Sequence, residues 1–195
     1  MNGAKLALRD QLQTARNRLR PAELQAAAAG LTAVLLALSE VRRAASIAAY
    51  VSVGTEPGTG ALLDALTDAG KRVLLPVLTA SPDPGWDLDW GHYRGPGSLA
   101  PARFGLLEPV GDGLGADAIA TCDVVLVPGM AVSATGQRLG KGAGCYDRAL
   151  GRVPVGTPTI CLLYAAELNQ PVPVEPHDRP VTHAATPDGV VRFAG

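Results

Sequence analysis

Residues 124–150 read VVLVPGMAVSATGQRLGKGAGCYDRAL, which predicts a strand, a glycine-rich loop and a helix in succession. The apolar run at 124–127 is typical of a buried strand, and it ends at Pro128-Gly129. A polar loop follows, and the short helical pattern after it ends near Leu150. We therefore expect the chemistry of this chain to lie after a strand and before a helix.

The loop combines alternating glycines with positive charges. Because glycine has no side chain, the main-chain N–H groups at Gly140, Gly142 and Gly144 can approach an anion closely. The start of the following helix adds partial positive charge. Arg138 and Lys141 add full charges, so the loop predicts a phosphate site.

The spacing excludes two better-known nucleotide motifs. A P-loop needs four residues between its glycines and a Ser or Thr after its lysine, whereas Gly136 and Gly140 enclose three residues and Gly142 follows Lys141. The dinucleotide fingerprint Gly-x-Gly-x-x-Gly, placed directly after a strand, does not match either. Asp147 falls in the first helical turn, where its carboxylate can hold a cation that bridges phosphate oxygens. We predict a Mg-nucleotide site, and a flexible surface loop is the alternative.

The composition is that of one globular domain, which we expect to span residues 1–195. Its 17 basic and 18 acidic residues nearly cancel, which argues against general binding to nucleic acid or to an acidic membrane. Three cysteines without a C-x-x-C pair favour a reducing compartment. The sequence offers neither a signal-peptide core nor the run of about 18 apolar residues that a membrane helix needs. We expect a soluble, cytoplasmic monomer.

The N-terminal region predicts two helices. Apolar residues at helical spacing indicate an amphipathic helix over 5–19, and strong helix formers indicate a second over 22–38. Lys5, Arg9 and Arg16 share one stripe of the first helix. This stripe either converges on an anion or forms a solvated basic face.

Strand and helix patterns then alternate, which predicts an α/β fold. Apolar runs at 46–51, 72–78 and 157–163 indicate buried strands, and a helix at 60–69 separates the first two as in a parallel crossover. Glu56 follows the first strand, where ligands collect in such sheets. Its alternative role is to place a negative charge near the positive end of the next helix, which stabilises the helix dipole.

Three further regions complete the pattern. A tryptophan-containing alternation within 83–97 predicts an edge hairpin or flap, and 181–185 and 190–193 predict short strands. None of the three histidines has the spacing of a zinc motif, and no Gly-x-Ser-x-Gly elbow is present. Covalent hydrolase chemistry is therefore not expected.

Several segments, taken in order, resemble one known family. They are 5–9 with Arg16, 50–59, 70–76, 104–109, 127–129 and 138–148, the last reading Arg-Leu-Gly-Lys-Gly-x-Gly-x-Tyr-Asp-Arg. In this order they resemble 5-formyltetrahydrofolate cyclo-ligase, also called 5,10-methenyltetrahydrofolate synthetase. The resemblance implies a three-layer α/β/α fold, Rossmann-like, with a mostly parallel central sheet and an N-terminal helical pair.

The resemblance also implies the reaction and its residues. The reaction is the ATP- and Mg2+-dependent closure of 5-formyltetrahydrofolate to 5,10-methenyltetrahydrofolate, with release of ADP and phosphate. The implied ATP-binding residues are Lys5, Arg9, Arg138, Leu139, Gly140, Lys141, Gly142, Ala143, Gly144, Cys145 and Tyr146. Arg138 and Lys141 are the catalytic candidates, because phosphoryl transfer needs cations that neutralise charge spreading over the γ-phosphate.

The same resemblance implies that Val51, Glu56 and Tyr146 contact the reduced folate, and that Asp147 and Asp178 bind Mg2+. The chain departs from the family pattern at Cys145, where a second aromatic residue is usual, and at Ser133, where an aspartate is usual. Two alternative functions are a non-catalytic or regulatory nucleotide-binding relative and a small-molecule kinase on the same fold.

Overall fold

The computed structural model describes residues 3–81, 85–176 and 178–194. Its helices are α1 (Gly3–Arg16), α2 (Pro21–Ala37), α3 (Ser39–Arg43), α4 (Gly60–Asp68) and α5 (Cys145–Leu150). Its strands are β1 (Ser46–Ala48), β2 (Arg72–Ala80), β3 (Trp86–Tyr93), β4 (Leu99–Pro101), β5 (Leu107–Pro109), β6 (Val124–Pro128), β7 (Ala131–Val132), β8 (Arg138–Leu139), β9 (Thr159–Leu162), β10 (His183–Thr186) and β11 (Gly189–Arg192). The predicted N-terminal helical pair is confirmed.

A seven-stranded sheet in the order β11-β10-β9-β6-β1-β2-β3 forms the centre of the fold. The five inner strands pair in parallel, whereas β3 and β11 pair antiparallel with their neighbours. The predicted α/β class with a mostly parallel sheet is confirmed. The edge element predicted within 83–97 is present as the single strand β3, which pairs antiparallel with β2 at the edge of the sheet. Residues 82–84 lie outside the described part.

The inner strands are apolar on both sides because both faces of the sheet are covered. Ile47 and Leu126 pack into a core with α2 and α4, whereas Ala48 and Val125 pack into a second core with α5. Successive residues of a strand point to opposite faces, so continuous apolar runs are the pattern expected for a sheet between two helical layers. Among the described residues, no helix combines the length and apolar character needed to cross a membrane.

The connections reverse direction at the centre of the sheet. From β1 the chain crosses through α4 to β2 and β3 on one side, and it later returns to β6, β9 and β10 on the other. The carboxyl ends of β1 and β6 therefore lie at a topological switch point, where open α/β sheets bind ligands.

Short elements were missed by the sequence patterns. Helix α3 and the two-stranded sheets β4-β5 and β7-β8 were not predicted. Strands of two or three residues carry too little periodicity to be recognised, and they form only because a partner strand is placed beside them. Strand β1 also ends earlier than expected, at Ala48, which leaves Tyr50 and Val51 in the loop beyond it.

Candidate functional site

A cavity of about 730 Å³ opens at the carboxyl ends of β1 and β6. This volume is in the range of small-molecule sites. All the candidate residues from the sequence line it: Lys5, Arg9, Val51, Glu56, Arg138, Leu139, Gly140, Lys141, Gly142, Ala143, Gly144, Cys145, Tyr146, Asp147 and Asp178. The fold thus brings together residues from four separate segments of the chain.

Helix α1 supplies one charged wall of the cavity. The Lys5 ammonium is buried and donates to both carboxylate oxygens of Asp178, at 2.8 and 2.6 Å, and to Glu175 at 2.6 Å. Burial alone would lower the pKa of Lys5, but these hydrogen bonds outweigh it and raise the pKa above its usual value. One turn later, the Arg9 Nε donates to the Gly140 carbonyl at 2.8 Å. Lys5 and Arg9 therefore both reach the cavity from the same helix.

Arg16 does not join them. It is 2% exposed, and its guanidinium binds Glu167 through Nε at 2.6 Å and Nη2 at 2.8 Å. Nη2 also donates to the Gly129 carbonyl at 2.7 Å. The expectation that all three basic residues of α1 converge on one anion is wrong for Arg16, because a buried carboxylate holds it. The solvated basic face is wrong as well, since Lys5 and Arg16 are both buried.

Arg138 lies at the start of the glycine-rich loop and lines the cavity. Its Nη2 donates to Asp147 Oδ1 at 2.9 Å, and its Nη1 lies 3.3 Å from the Pro128 carbonyl oxygen. The guanidinium also lies over the Tyr146 ring, 5.9 Å from its centroid. Its buried Nε has no hydrogen-bond partner among the described residues. A buried cation with an unused N–H beside a cavity suits an anionic ligand.

The glycines adopt the conformations that the loop needs. Gly142 and Gly144 have φ of +104° and +70°, which side-chain-bearing residues rarely adopt, and Gly144 is the N-cap of α5. At Gly140, a Cβ atom would lie 2.6 Å from Arg138 Nη1. A side chain at Gly140 would therefore displace the arginine.

Lys141 and Glu56 connect the two candidate binding regions. Lys141 Nζ lies 2.6 Å from Glu56 Oε1, although the lysine side chain is 56% exposed and the glutamate side chain only 8%. The other carboxylate oxygen of Glu56 accepts the Val53 N–H at 2.8 Å. Helix α4 begins after the N-cap residue Thr59, and the contacts of Glu56 are with Lys141 and the Val53 N–H rather than with the first turn of this helix. The lysine of the glycine-rich loop and the candidate folate carboxylate are thus in direct contact.

Asp147 and Asp178 suit Mg2+ only as part of a larger ligand set. Asp147 Oδ1 accepts from Arg138 and lies 3.4 Å from the Arg179 N–H nitrogen, so the segment that carries Asp178 lies against Asp147. No group of three or more metal-binding side chains occurs in the described ranges. Mg2+ characteristically binds one or two carboxylates together with phosphate oxygens and water, and the two aspartates fit that pattern.

The opposite walls of the cavity are apolar, and the sequence did not identify them. Strands β2 and β3 and the β4-β5 hairpin contribute Pro76, Leu78, Trp86, Leu88, Phe104, Leu106 and Leu107. Trp86 and Phe104 meet edge to face, with ring centroids 5.7 Å apart, although Phe104 is 71% exposed. The alternation around Trp86 and the quoted segment 104–109 were the available signals, but they did not indicate a cavity wall. An aromatic edge of this kind suits a flat heterocyclic ligand.

The two departures from the family pattern differ in position. Cys145 is buried at the start of α5 and lines the cavity. Ser133 does not line it, and its hydroxyl instead accepts the N–H groups of Thr135 and Gln137 at 3.2 and 3.1 Å. The serine therefore stabilises a turn away from the cavity.

Comparison with known proteins identifies the family. A sequence model described as the 5-formyltetrahydrofolate cyclo-ligase family matches residues 1–187. The chain belongs to the 5-formyltetrahydrofolate cyclo-ligase family. This cyclo-ligase family member is accordingly an enzyme of the ligase class, and the resemblance noted in the sequence is confirmed.

Named relatives cover most of this cyclo-ligase family member. It is 47% identical over 146 residues to the 5-formyltetrahydrofolate cyclo-ligase of Mycolicibacterium smegmatis, covering 73% of each chain. It is 32% identical over 181 residues to that of Escherichia coli K12, covering 90% of this chain and 96% of the relative. The solution structure of Aquifex aeolicus 5,10-methenyltetrahydrofolate synthetase superimposes with a TM-score of 0.83 at 26% identity, over 98% of this chain and 93% of that one. A Mycoplasma pneumoniae synthetase structure, 19% identical with a TM-score of 0.74 over 96% of this chain and 99% of that one, shares the fold.

Proposed function

We propose that this protein closes 5-formyltetrahydrofolate to 5,10-methenyltetrahydrofolate, using ATP and Mg2+ and releasing ADP and phosphate. The observation that carries the proposal is the 2.6 Å contact between Lys141 and Glu56. Because the candidate phosphate residue touches the candidate folate residue, a nucleotide and a folate bound in this cavity would meet there. The reaction needs that proximity, since the formyl oxygen attacks the γ-phosphate.

The charges around the loop suit the triphosphate. Lys5, Arg9, Arg138 and Lys141 line the cavity with the alternating glycines, and the unused Nε–H of Arg138 offers a donor to a phosphate oxygen. Phosphoryl transfer depends on cations and main-chain donors already placed where charge develops. Arg138 and Lys141 accordingly have the catalytic role in this proposal.

The ion pairs imply that the charged residues exchange partners when ligands bind. Lys5, Arg138 and Lys141 are each paired with a carboxylate of the cavity. Asp147 and Asp178 would hold Mg2+, which when bound neutralises the phosphate charge. As the cations turn to phosphate, the carboxylates become available to Mg2+ and to the folate.

The proposed chemistry balances without a covalent enzyme intermediate. The formyl oxygen displaces ADP from the γ-phosphorus and becomes a good leaving group. N10 then attacks the formyl carbon, its proton passes to the phosphate, and the phosphate departs with the former formyl oxygen. Within the protein, Glu56, Val51 and Tyr146 would position the folate, while the apolar wall would exclude water from the activated carbon.

The test is direct. Purified protein is mixed with Mg-ATP and 5-formyltetrahydrofolate, the methenyl product is followed by absorbance, and Asp147→Asn serves as the matched variant. We expect product only when ATP and Mg2+ are both present, and much slower formation with Asp147→Asn. Product without ATP, or equal rates for the two proteins, would contradict the mechanism. Nucleotide binding without folate-stimulated ADP release would support a regulatory relative, and phosphate transfer to another acceptor would support a kinase.

A further inference from the structure

Tyr50 has a polar atom that the proposed mechanism does not yet use. Its side chain lines the cavity two residues beyond the end of β1, and the residue is only 3% exposed. The hydroxyl has no hydrogen-bond partner among the described residues. Buried hydroxyl groups are normally paired, so this group requires an explanation.

Two of the other three tyrosines show the usual behaviour. The Tyr93 hydroxyl donates to Asp64 Oδ1 at 2.6 Å, and the Tyr164 hydroxyl donates to the Thr55 carbonyl at 3.0 Å. Neither of these residues lines the cavity. The unpaired hydroxyl thus belongs to one of the two tyrosines that line the cavity, Tyr50 and Tyr146, where a ligand can supply the missing acceptor.

The surroundings hold Tyr50 in place as a donor. Its ring packs in the core with Leu62 and Leu126, and its carbonyl accepts the Thr59 hydroxyl at 2.8 Å. Burial, and next the negative charge of Glu56, raise the pKa of Tyr50 well above its usual value. The hydroxyl therefore keeps its proton at neutral pH and is positioned before any ligand arrives.

We propose that the Tyr50 hydroxyl binds the folate by donating a hydrogen bond to the ring carbonyl of the pterin. This proposal rests on the proposed function and deepens it. The pterin carries a carbonyl next to an N–H group, and the cavity wall offers a hydroxyl donor in Tyr50 and a carboxylate acceptor in Glu56. The formyl oxygen is the less suitable acceptor, because donation to it would reduce its ability to attack phosphorus.

Tyr50→Phe tests the proposal, because it removes the hydroxyl and keeps the ring. Tyr93→Phe is the matched control, since it removes a paired hydroxyl outside the cavity. We expect Tyr50→Phe to raise the KM for 5-formyltetrahydrofolate about 3- to 10-fold, the worth of one neutral hydrogen bond, with an unchanged KM for ATP. Its melting temperature should stay level or rise, whereas Tyr93→Phe should melt earlier with both KM values unchanged.

A measurement of ligand affinity distinguishes failure of this proposal from failure of the proposed function. Affinities for 5-formyltetrahydrofolate and for tetrahydrofolate, which has no formyl group, are measured by protein fluorescence without ATP. A ring-carbonyl contact predicts that Tyr50→Phe weakens both ligands by the same factor, whether or not the wild-type protein turns over. Loss confined to the formyl compound, an unchanged folate affinity, or a change in ATP affinity instead would overturn the assignment.

Discussion

Replacing Arg16 with methionine should destabilise the protein severely, because it leaves a buried carboxylate without its cation. Arg16 donates two hydrogen bonds to Glu167 and one to the Gly129 carbonyl, and both charged residues are at most 4% exposed. In Arg16→Met, Glu167 keeps the Tyr164 N–H as a donor but has lost the opposite charge. Removing one partner of a buried ion pair costs about 3–5 kcal/mol. For a chain of this size, that corresponds to roughly 6–20 °C in melting temperature.

The assay is urea unfolding of Arg16→Met, Glu167→Leu and the double variant, combined as a double-mutant cycle. We expect each single variant to be strongly destabilised and the double variant to be more stable than the sum predicts, since it contains no unpaired buried charge. Arg20→Met is the control, because Arg20 pairs with Glu23 on the surface. This variant should unfold at the same urea concentration as the wild type. Single variants within about 1 kcal/mol of the wild type, or strictly additive effects, would refute the reasoning.

Three further predictions concern the glycine-rich loop, a buried thiol and a pH-sensitive carboxylate. Lys141→Ala should lower the rate of methenyl formation by about 10²- to 10³-fold. The control is Lys71→Ala, which lies outside the cavity and should leave the rate unchanged. Equal rates for Lys141→Ala and the wild type would exclude a catalytic role for Lys141. Burial raises the pKa of Cys122 to about 11, so its thiol should react negligibly with an alkylating reagent at pH 8 until urea unfolds the chain. Rapid alkylation of Cys122 in the folded protein would contradict its burial. Hydrogen bonds from Ser46 hold the pKa of Asp123 below its usual value, so its stabilisation is present above pH 3.8 and lost as the pH falls through the folded-state pKa. The stability difference between wild type and Asp123→Asn, measured by urea unfolding, should accordingly shrink below pH 3.8, and a constant difference would contradict this role.

The inner strands were predictable because their signal is local. Residues 73–75 and 124–127 are apolar and buried at every position, and a strand buried on both faces requires that pattern. The hairpin of β4 and β5 was not predictable, since its three-residue strands are specified by pairing across the sheet rather than by their own composition. The hairpin nonetheless supplies part of the apolar wall of the cavity.

The roles of the candidate site residues stay predictions, although their placement in one cavity agrees with the resemblance. The sequence placed Lys5, Arg9 and Arg16 on one stripe of a helix, which is correct as helical geometry. The sequence carried no information on which acidic residues these side chains contact. Glu167 and Asp178 lie more than 150 positions away along the chain, and helical periodicity does not extend to such distances.

The order of the motifs, the alternation of strands with helices and the glycine-rich loop were sufficient, from the sequence by itself, to determine the family and the α/β class. Only the tertiary structure decided that Lys141 pairs with Glu56, that Arg16 pairs with Glu167, and that the Tyr50 hydroxyl has no partner within the described part of the chain. The physical reason for this division is the distance along the chain over which each effect acts. Local patterns set the direction of each side chain relative to its own backbone, whereas its partner is set by the packing of elements far apart in the chain.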